Sequence, residues 1–590
     1  MPTRDSQGIS KVEFGPFRLD AAKRVLWRDG RVVPLPPKAL DLLVALVEQR
    51  GDVVTKDELL KRVWPDTFVE EANLSVNVSA LRKALGDGPG GRPYIETLSR
   101  RGYRFAALEA PAAGELPTLA VLPFIALGRG GQDDAYLGAG LADALITRLG
   151  GTGRVAVRPT SAVLKHAGRD PREVGRELQV DAVLEGKIQR RGSRLRVTVQ
   201  LLPLSSLAAA WAETFDEEST NVFAVQDRIA ERVAAALDLE LGAADRERLT
   251  RRHTGDSAAY ESYLKGRYFW SRFTGQWLER ALGFFREAVE KDPGFCLPHA
   301  GLADAYLVLG FSGLVPPKEA WGLAGEEARR ALAIDETVAE AHVSLGYVRL
   351  FEEWDWRRAG AELRRAVALS PASAGARQWH GLYLDMLGRF EEARAEIERA
   401  REIDPLSLVT AALLAFQSYL AREQDRGLAE CRRVVDLDPN HFLGRWSLGL
   451  ALQALGRHRE AAVEHRKALK LSGGSPLMQA VLARSLALSG RRAEAKRLLA
   501  ALDRASRESR AGFYGSATVH LALGDEDEAL ARLEAATGER DPWLVWLNVD
   551  PMLEGLRGHR RFQSLVRLVY GVPQGALAPP RNAPPRKRRL

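Results

Sequence analysis

The sequence predicts a multidomain chain: an α+β unit, then a mixed α/β module, then an all-α solenoid of helix pairs. Three observations predict it. Short β-like runs precede three amphipathic helical stretches before residue 108. Apolar alternation with a period of two dominates residues 182–214. From about residue 260 onward, small residues recur every 34 positions.

A chain of 590 residues with 46% apolar composition has room for several packed cores. The net charge of +8 is unevenly placed. Residues 1–107 carry +4, the tail from Gln574 carries +5, and the long middle carries −1. Basic charge at the two ends fits nucleic acid met there. Cys296 and Cys431 alone imply no disulfide framework and fit a reducing compartment. The N-terminus MPTRDSQGIS lacks a signal-peptide core, and no run is apolar enough to span a bilayer. A cytoplasmic chain with no membrane partner is therefore expected.

The first unit covers residues 11–108. Strands are expected at Phe14–Leu19, Arg24–Trp27 and Val32–Leu35, with Asp29-Gly30 as a turn. Pro36-Pro37 starts a helix with Leu40, Leu43, Val44 and Val47 on one face. A second helix runs from about Lys56 to Trp64, with Thr55 as N-cap and Pro65 as the stop. A third begins near Asn73 and ends at Leu81-Arg82-Lys83-Ala84-Leu85. A Gly-rich turn and a strand pair closing on Gly102-Tyr103-Arg104-Phe105 follow. Both this stretch and LPPKALDLLVALVEQRGDVVTKDELLKRVWP resemble the OmpR/PhoB-type winged helix-turn-helix domain. The resemblance implies a recognition helix, a wing and double-stranded DNA as partner.

On the third helix, Leu74, Val78, Leu81 and Leu85 share a narrow arc and form the core face. Val76, Ser79, Ala80 and Lys83 point away from it. Asn73 and Asn77 flank one side, Ser75 and Arg82 the other. In a major groove Asn reads adenine, Arg reads guanine and Val meets a thymine methyl. The resemblance puts Asn77, Ser79, Ala80 and Arg82 at base- or phosphate-facing positions. Ser79 and Ala80 stand where arginine is common in the family, which predicts weaker anchoring by the helix. Arg100 and Arg101, just before Gly102, would then carry phosphate or minor-groove contacts. Arg104 admits either a DNA contact or a structural surface role.

A linker, Ala110–Pro117, leads to the α/β module at 118–241. Its expected order is a strand at Leu119–Ile125 and a helix at Leu137–Leu149. A strand at Arg154–Val157 and short helices at Ser161–His166 and Pro171–Leu178 come next. Strands Ala182–Gln189, Leu195–Leu202 and Ala209–Thr214 lead into a closing helix, Val222–Leu239. The run AVLPF…YLGAGLADALITRL…VDAVLEGKI is similar to the TolB N-terminal-like module.

Residues 256–541 form the repeat array. Ala393, Gly427, Ala461, Ala495 and Ala529 stand 34 apart, as do Gly381, Ala415, Gly449, Ala483 and Ala517. That period is the tetratricopeptide (TPR) signature: small residues let paired helices approach, and Pro405 and Pro439 break the chain between pairs. Eight units are expected, the second lengthened around FSGLVPPKEAW. Arg377, Gln378, Arg445, Ser447, Gln479 and Arg484 are expected to line an exposed groove. A cap at 542–572 and a disordered basic tail at 573–590 complete the chain. The three modules together resemble bacterial CadC-like regulators.

Enzyme signatures are missing. There is no Walker loop, H-E-x-x-H or paired Cys-x-x-Cys. Gly138-Ala139-Gly140 fits close packing better than phosphate binding. His465 and Cys431 share a repeat position with Ile397, Leu499 and Leu533, so both read as core. No catalytic residue, cofactor or metal site is expected. About ten residues precede the first strand, too few for a receiver domain. The expected function is a sequence-specific transcription regulator. Its partners are double-stranded DNA, RNA polymerase, a protein or peptide in the TPR groove, and a second copy in a homodimer. The alternative is a TPR scaffold whose winged helix contacts proteins instead of an operator.

Overall fold

The computed structural model describes residues 12–571 except 15–16, 21–22, 29–30, 49–53, 65–68, 70, 87–93, 99–101, 106–116, 128–131, 192–193, 207, 219–221, 238, 240–241, 243–244, 246–248, 250, 271–274 and 510–511. The chain divides into two compact units, Met1–Leu116 and Pro117–Leu590. The α/β module and the repeat array are thus parts of one unit. The basic tail lies outside the described residues.

The first unit opens with a four-stranded antiparallel sheet of β1 (Val12–Phe14), β2 (Phe17–Asp20), β3 (Val25–Arg28) and β4 (Arg31–Val32). The run expected as one strand over Phe14–Leu19 is two strands, because Phe14 pairs with Phe17 across the connection. Helices α1 (Pro37–Glu48), α2 (Lys56–Val63) and α3 (Glu71–Leu85) follow. The second sheet orders β5 (Val54–Thr55), β7 (Gly102–Phe105) and β6 (Ile95–Leu98). Thr55 and Glu58 form a reciprocal capping box at the start of α2, which satisfies two otherwise orphaned amides. Leu42, Leu43, Leu46 and Leu59 meet Leu74, Leu81 and Phe105 in one core.

The second unit begins with a six-stranded mixed sheet of β8 (Thr118–Val121), β9 (Ile125–Ala126), β10 (Ala156–Val157), β11 (Ala182–Arg191), β12 (Arg194–Pro203) and β13 (Trp211–Glu218), in which β10-β8-β11-β12-β13 lie in order and β9 pairs with β11. Strand β8 is parallel to β10 and β11, while β11, β12 and β13 are antiparallel. Leu195, Val197, Val199 and Leu201 are buried as the alternation requires. Leu119 and Val121 enter the core under α4 (Gln132–Gly151) and α5 (Val222–Ala236). Ala120 and Leu122 face the opposite core, with Ala162, Val163, Val174 and Leu178. A Cβ on Gly138 would stand 1.9 Å from the Phe124 carbonyl oxygen and one on Gly140 would stand 2.9 Å from Leu264, so these two glycines serve packing.

Eight helix pairs succeed one another among the described residues. They are Ser257–Trp270 with Gly275–Lys291, Cys296–Ser312 with Pro317–Ile334, Ala339–Val348 with Trp356–Leu369, and Ala374–Met386 with Phe390–Ile403. Leu408–Leu420 with Gln424–Leu437, Phe442–Ala454 with His458–Leu471, Pro476–Leu488 with Arg492–Ser509, and Phe513–Leu523 with Glu526–Glu539 complete them. The small positions do what the period implies. A Cβ on Gly381 would stand 2.6 Å from Ile397, and one on Gly449 would stand 2.2 Å from the His465 ring. His465 and Cys431 are fully buried.

Two expectations about the array are corrected. Residues Arg377 and Arg445 do not line an open groove: they pair with Glu396 at 2.8 Å and Glu464 at 2.7 Å, the same bridge repeated two units apart. Ser447 is buried, and Arg484 donates to the Thr518 carbonyl at 2.8 Å. The C-terminal segment is more than an end cap. Its turns Pro542–Trp546 and Pro551–Leu556 and its helix Arg560–Tyr570 run along the face made by the first helices of the pairs. Asp550 accepts from Tyr419 at 3.2 Å and Tyr514 at 2.7 Å. Tyr570 donates to the Met386 carbonyl at 3.3 Å and stacks on Trp356 at 4.5 Å. Trp321 Nε1 donates to the Arg540 carbonyl at the end of the last pair at 3.1 Å, and Phe311 of the second pair meets Trp543 of this segment at 5.3 Å.

The module and the array are joined by buried charge. Asp143 of α4 accepts two bonds of 3.1 Å from Arg267 of the first repeat helix. Arg158, 4% exposed, donates to Leu178 and Gln179 of the module and to Glu402 and Ile403 of the fourth pair.

Candidate nucleic-acid interface

Helix α3 separates its faces cleanly. Leu74, Val78, Leu81 and Leu85 are at most 2% exposed, which anchors the helix to α1 and α2. Opposite them, Val76 is 66% exposed. Ser79 and Lys83 are exposed beside it and Ala80 is half-buried. An apolar side chain left this open amid small and polar neighbours has no role in the domain's own core. Asn73 and Ser75 are exposed at the helix flanks. The Asn77 side-chain amide donates to the Asn73 carbonyl at 2.8 Å, which orders it along the helix surface.

Arg82 stands apart from this face. Its Nε and one terminal nitrogen donate to the Ile95 carbonyl at 2.9 and 2.7 Å, and that terminal nitrogen also reaches Thr97 Oγ1 at 2.8 Å. The guanidinium fork therefore ties α3 to β6 of the hairpin, a contact between residues 13 and 15 apart that no helical wheel reveals. In this arrangement Arg82 positions the hairpin instead of projecting toward a groove. Lys83 is then the one cation of α3 on the outward arc.

The hairpin pairs Ile95 with Phe105 and Leu98 with Gly102. Gly102 has a φ of 153°, and a Cβ there would stand 2.0 Å from the Val54 carbonyl oxygen. Only glycine lets β7 lie so close to β5. Tyr94 meets Phe17 edge-on at 5.6 Å and stacks on Phe105 at 6.4 Å, fixing the hairpin base to the first sheet. The tip with Arg100 and Arg101, and the side chain of Arg104, lie outside the described residues. A 15-residue helix with a solvent-facing arc and a hairpin held beside it is the arrangement that enters a major groove with a flanking wing.

The fold and this exposed helix define a DNA-binding winged-helix transcription regulator carrying a long helical array. Residues 30–105 match the family described as transcriptional regulatory protein, C terminal. Residues 115–232 match the second domain of HilA/YgeH-like transcriptional regulators. The expected TolB likeness is not specifically shown. The transcriptional regulator HilA of Salmonella typhimurium is 27% identical over 404 residues, 67% of this chain and 71% of that protein. The transcriptional activator CadC of Escherichia coli is 34% identical over 94 residues, 16% of this chain and 18% of that protein. A putative adenylate cyclase of Rhizobium meliloti is 30% identical over 254 residues, 42% of each chain. The chain is a transcriptional regulator of the HilA/CadC type, with a DNA-binding domain and a TPR-like helical array. No helix among the described residues is long and apolar enough to cross a membrane.

Proposed function

We propose that the chain binds operator DNA sequence-specifically, through the outward arc of α3 and the 95–105 hairpin. The unit from Pro117 onward receives a protein or peptide signal. The chain acts in the cytoplasm and catalyses no reaction. The observation that carries this reading is Val76, 66% exposed at the centre of the arc opposite the core. Asn73, Asn77, Ser79, Ala80 and Lys83 surround it with groups able to meet base edges and phosphates. Arg100 and Arg101, which lie between β6 and β7 in the sequence, add phosphate contacts in this reading. A partner for the first-helix face of the array must displace residues 541–570, which fill it.

The test is a gel-shift of the full chain against genomic fragments at fixed salt. A few fragments are expected to be retained under competitor DNA. Val76→Asp should abolish retention without unfolding the chain. Retention of all fragments alike, or binding unchanged in Val76→Asp, would refute the operator reading. A second reading, a scaffold whose winged helix contacts RNA polymerase, is favoured by one observation: α3 leaves a single cation, Lys83, on its outward arc. Capture of polymerase in the absence of DNA would support it.

A further inference from the structure

We infer that His253, Cys296 and Asp335 form a site for one zinc-class divalent ion where the α/β module meets the first two helix pairs. Three separate segments supply the donors. His253 lies on the connection into the first repeat helix, Cys296 opens the helix Cys296–Ser312, and Asp335 caps the end of Pro317–Ile334. Their donor atoms all lie within 4.8 Å of one another. His253 Nδ1 is 3.4 Å from Cys296 Sγ and 3.4 Å from Asp335 Oδ2. Bonds of about 2.3 Å to sulfur and about 2.0 Å to nitrogen and oxygen give tetrahedral edges of roughly 3.3–3.6 Å. The two edges that meet at His253 Nδ1 already have that spacing, and the third, from sulfur to carboxylate, lies within 4.8 Å.

The geometry also rules out the obvious competing chemistry. A Cys–His–Asp relay needs the thiol on one imidazole nitrogen and the carboxylate on the other. Here both face Nδ1. Atoms that converge on one point suit a shared cation, not a proton relay. One thiolate, one imidazole and one carboxylate suit a borderline ion, with water in the fourth position. The thiol proton leaves to solvent on binding.

The surroundings orient the carboxylate as metal sites require. Asp335 Oδ1 accepts from the Thr337 amide at 2.9 Å and from its hydroxyl at 2.8 Å, which leaves Oδ2 toward the trio. Arg251 stands 3.1 Å from that same Oδ2, while another of its nitrogens holds Thr337 Oγ1 at 2.7 Å. Its side chain is 44% exposed, so it can swing into solvent. Arg251 and the ion therefore compete for one oxygen. Among the described residues, no other trio of His, Cys, Asp or Glu donors converges in this way.

The experiment titrates the full chain, stripped with chelator and kept reduced, with Co²⁺. One equivalent should produce a thiolate-to-cobalt charge-transfer band in the near ultraviolet and intense visible bands of a tetrahedral ion. Cys296→Ser should lose the charge-transfer band, while Cys431→Ser keeps it. Asp335→Asn should weaken binding by about tenfold or more, and Arg251→Gln should tighten it. Zn²⁺ should displace the cobalt and raise the thermal midpoint of the parent but not of His253→Gln. If Cys296→Ser fails to fold, His253→Gln with retained cobalt bands carries the same refutation. No charge-transfer band at excess cobalt, or a band that survives Cys296→Ser, overturns the site.

Discussion

Arg82 separates two accounts of the recognition helix. As a base-reading residue its loss would change operator preference. As the tether between α3 and β6 its loss would free the hairpin. Arg82→Ala removes three hydrogen bonds onto two acceptors, the Ile95 carbonyl and Thr97 Oγ1. Hydrogen bonds from a charged donor contribute about 1.5–3 kcal/mol. Thr97 is exposed and water replaces its bond, so the loss is about 2 kcal/mol, most of it at the Ile95 carbonyl. For a domain of this size that lowers the melting midpoint by roughly 8–15 °C. The assay is thermal unfolding of residues 1–116, a compact unit with its own core. A gel-shift series over operator variants accompanies it. Affinity should fall about tenfold on every sequence, equivalent to about 1.4 kcal/mol for re-ordering the hairpin. Arg82→Lys should rescue little, because an ammonium lacks the fork. A variant that melts with the parent but shifts preference at one base pair by about 1–3 kcal/mol would refute the tether.

Three further outcomes are expected. Arg158→Ala leaves four carbonyls without their donor and removes one of the two cations, with Lys165, that offset the buried Asp404 carboxylate, and should cost about 3–5 kcal/mol. Hydrogen exchange should rise at both 176–181 and 402–406, and unchanged exchange at either would refute the bridge. His465 is held neutral, its pKa driven by burial from 6.5 down to about 4. The unfolded chain takes up that proton below about 6.5, so this stability is complete above 6.5 and is lost as pH falls toward 4, about 3 kcal/mol in all. Urea midpoints of His465→Leu should fall less over that window than those of the parent; parallel profiles would count against the argument. Asp550→Ala removes the acceptor shared by Tyr419 and Tyr514 and should cost about 3 kcal/mol. The fluorescence of Trp446, Trp543 and Trp546 should shift to the red, and an unchanged spectrum would show that the segment stays seated.

Local periodicity was enough to read what local periodicity controls. The 34-residue spacing placed small residues where helices touch, and Gly381 and Gly449 occupy those contacts. The α3 core face followed from the 100° spacing, since Leu74, Val78, Leu81 and Leu85 need no distant partner to declare it. Contacts between remote positions left no such trace. Arg82 looks like any exposed helix cation until the hairpin arrives beside it. The bonds Trp321 to Arg540 and Trp356 to Val569 span 219 and 213 residues, so nothing in the repeat predicts that the C-terminal segment runs back along the array. Arg377 and Arg445 recur at twice the repeat period as exposed groups could, yet the same spacing supplies their glutamates on the second helix. His253, Cys296 and Asp335 match no ligand spacing, because three turns of different elements bring them together. The wing tip, Arg100 and Arg101, lies outside the described residues.

The segment bound by Tyr419, Tyr514, Trp356 and Phe311 sets an entry threshold for the array. A tethered occupant presents itself at an effective concentration of about millimolar. A free peptide present at about micromolar level and making equal contacts would lose that competition by about a thousandfold. A ligand of this face, as proposed above, would therefore be filtered by rank: it would succeed only by out-contacting residues 541–570, or by arriving when they have been pulled away.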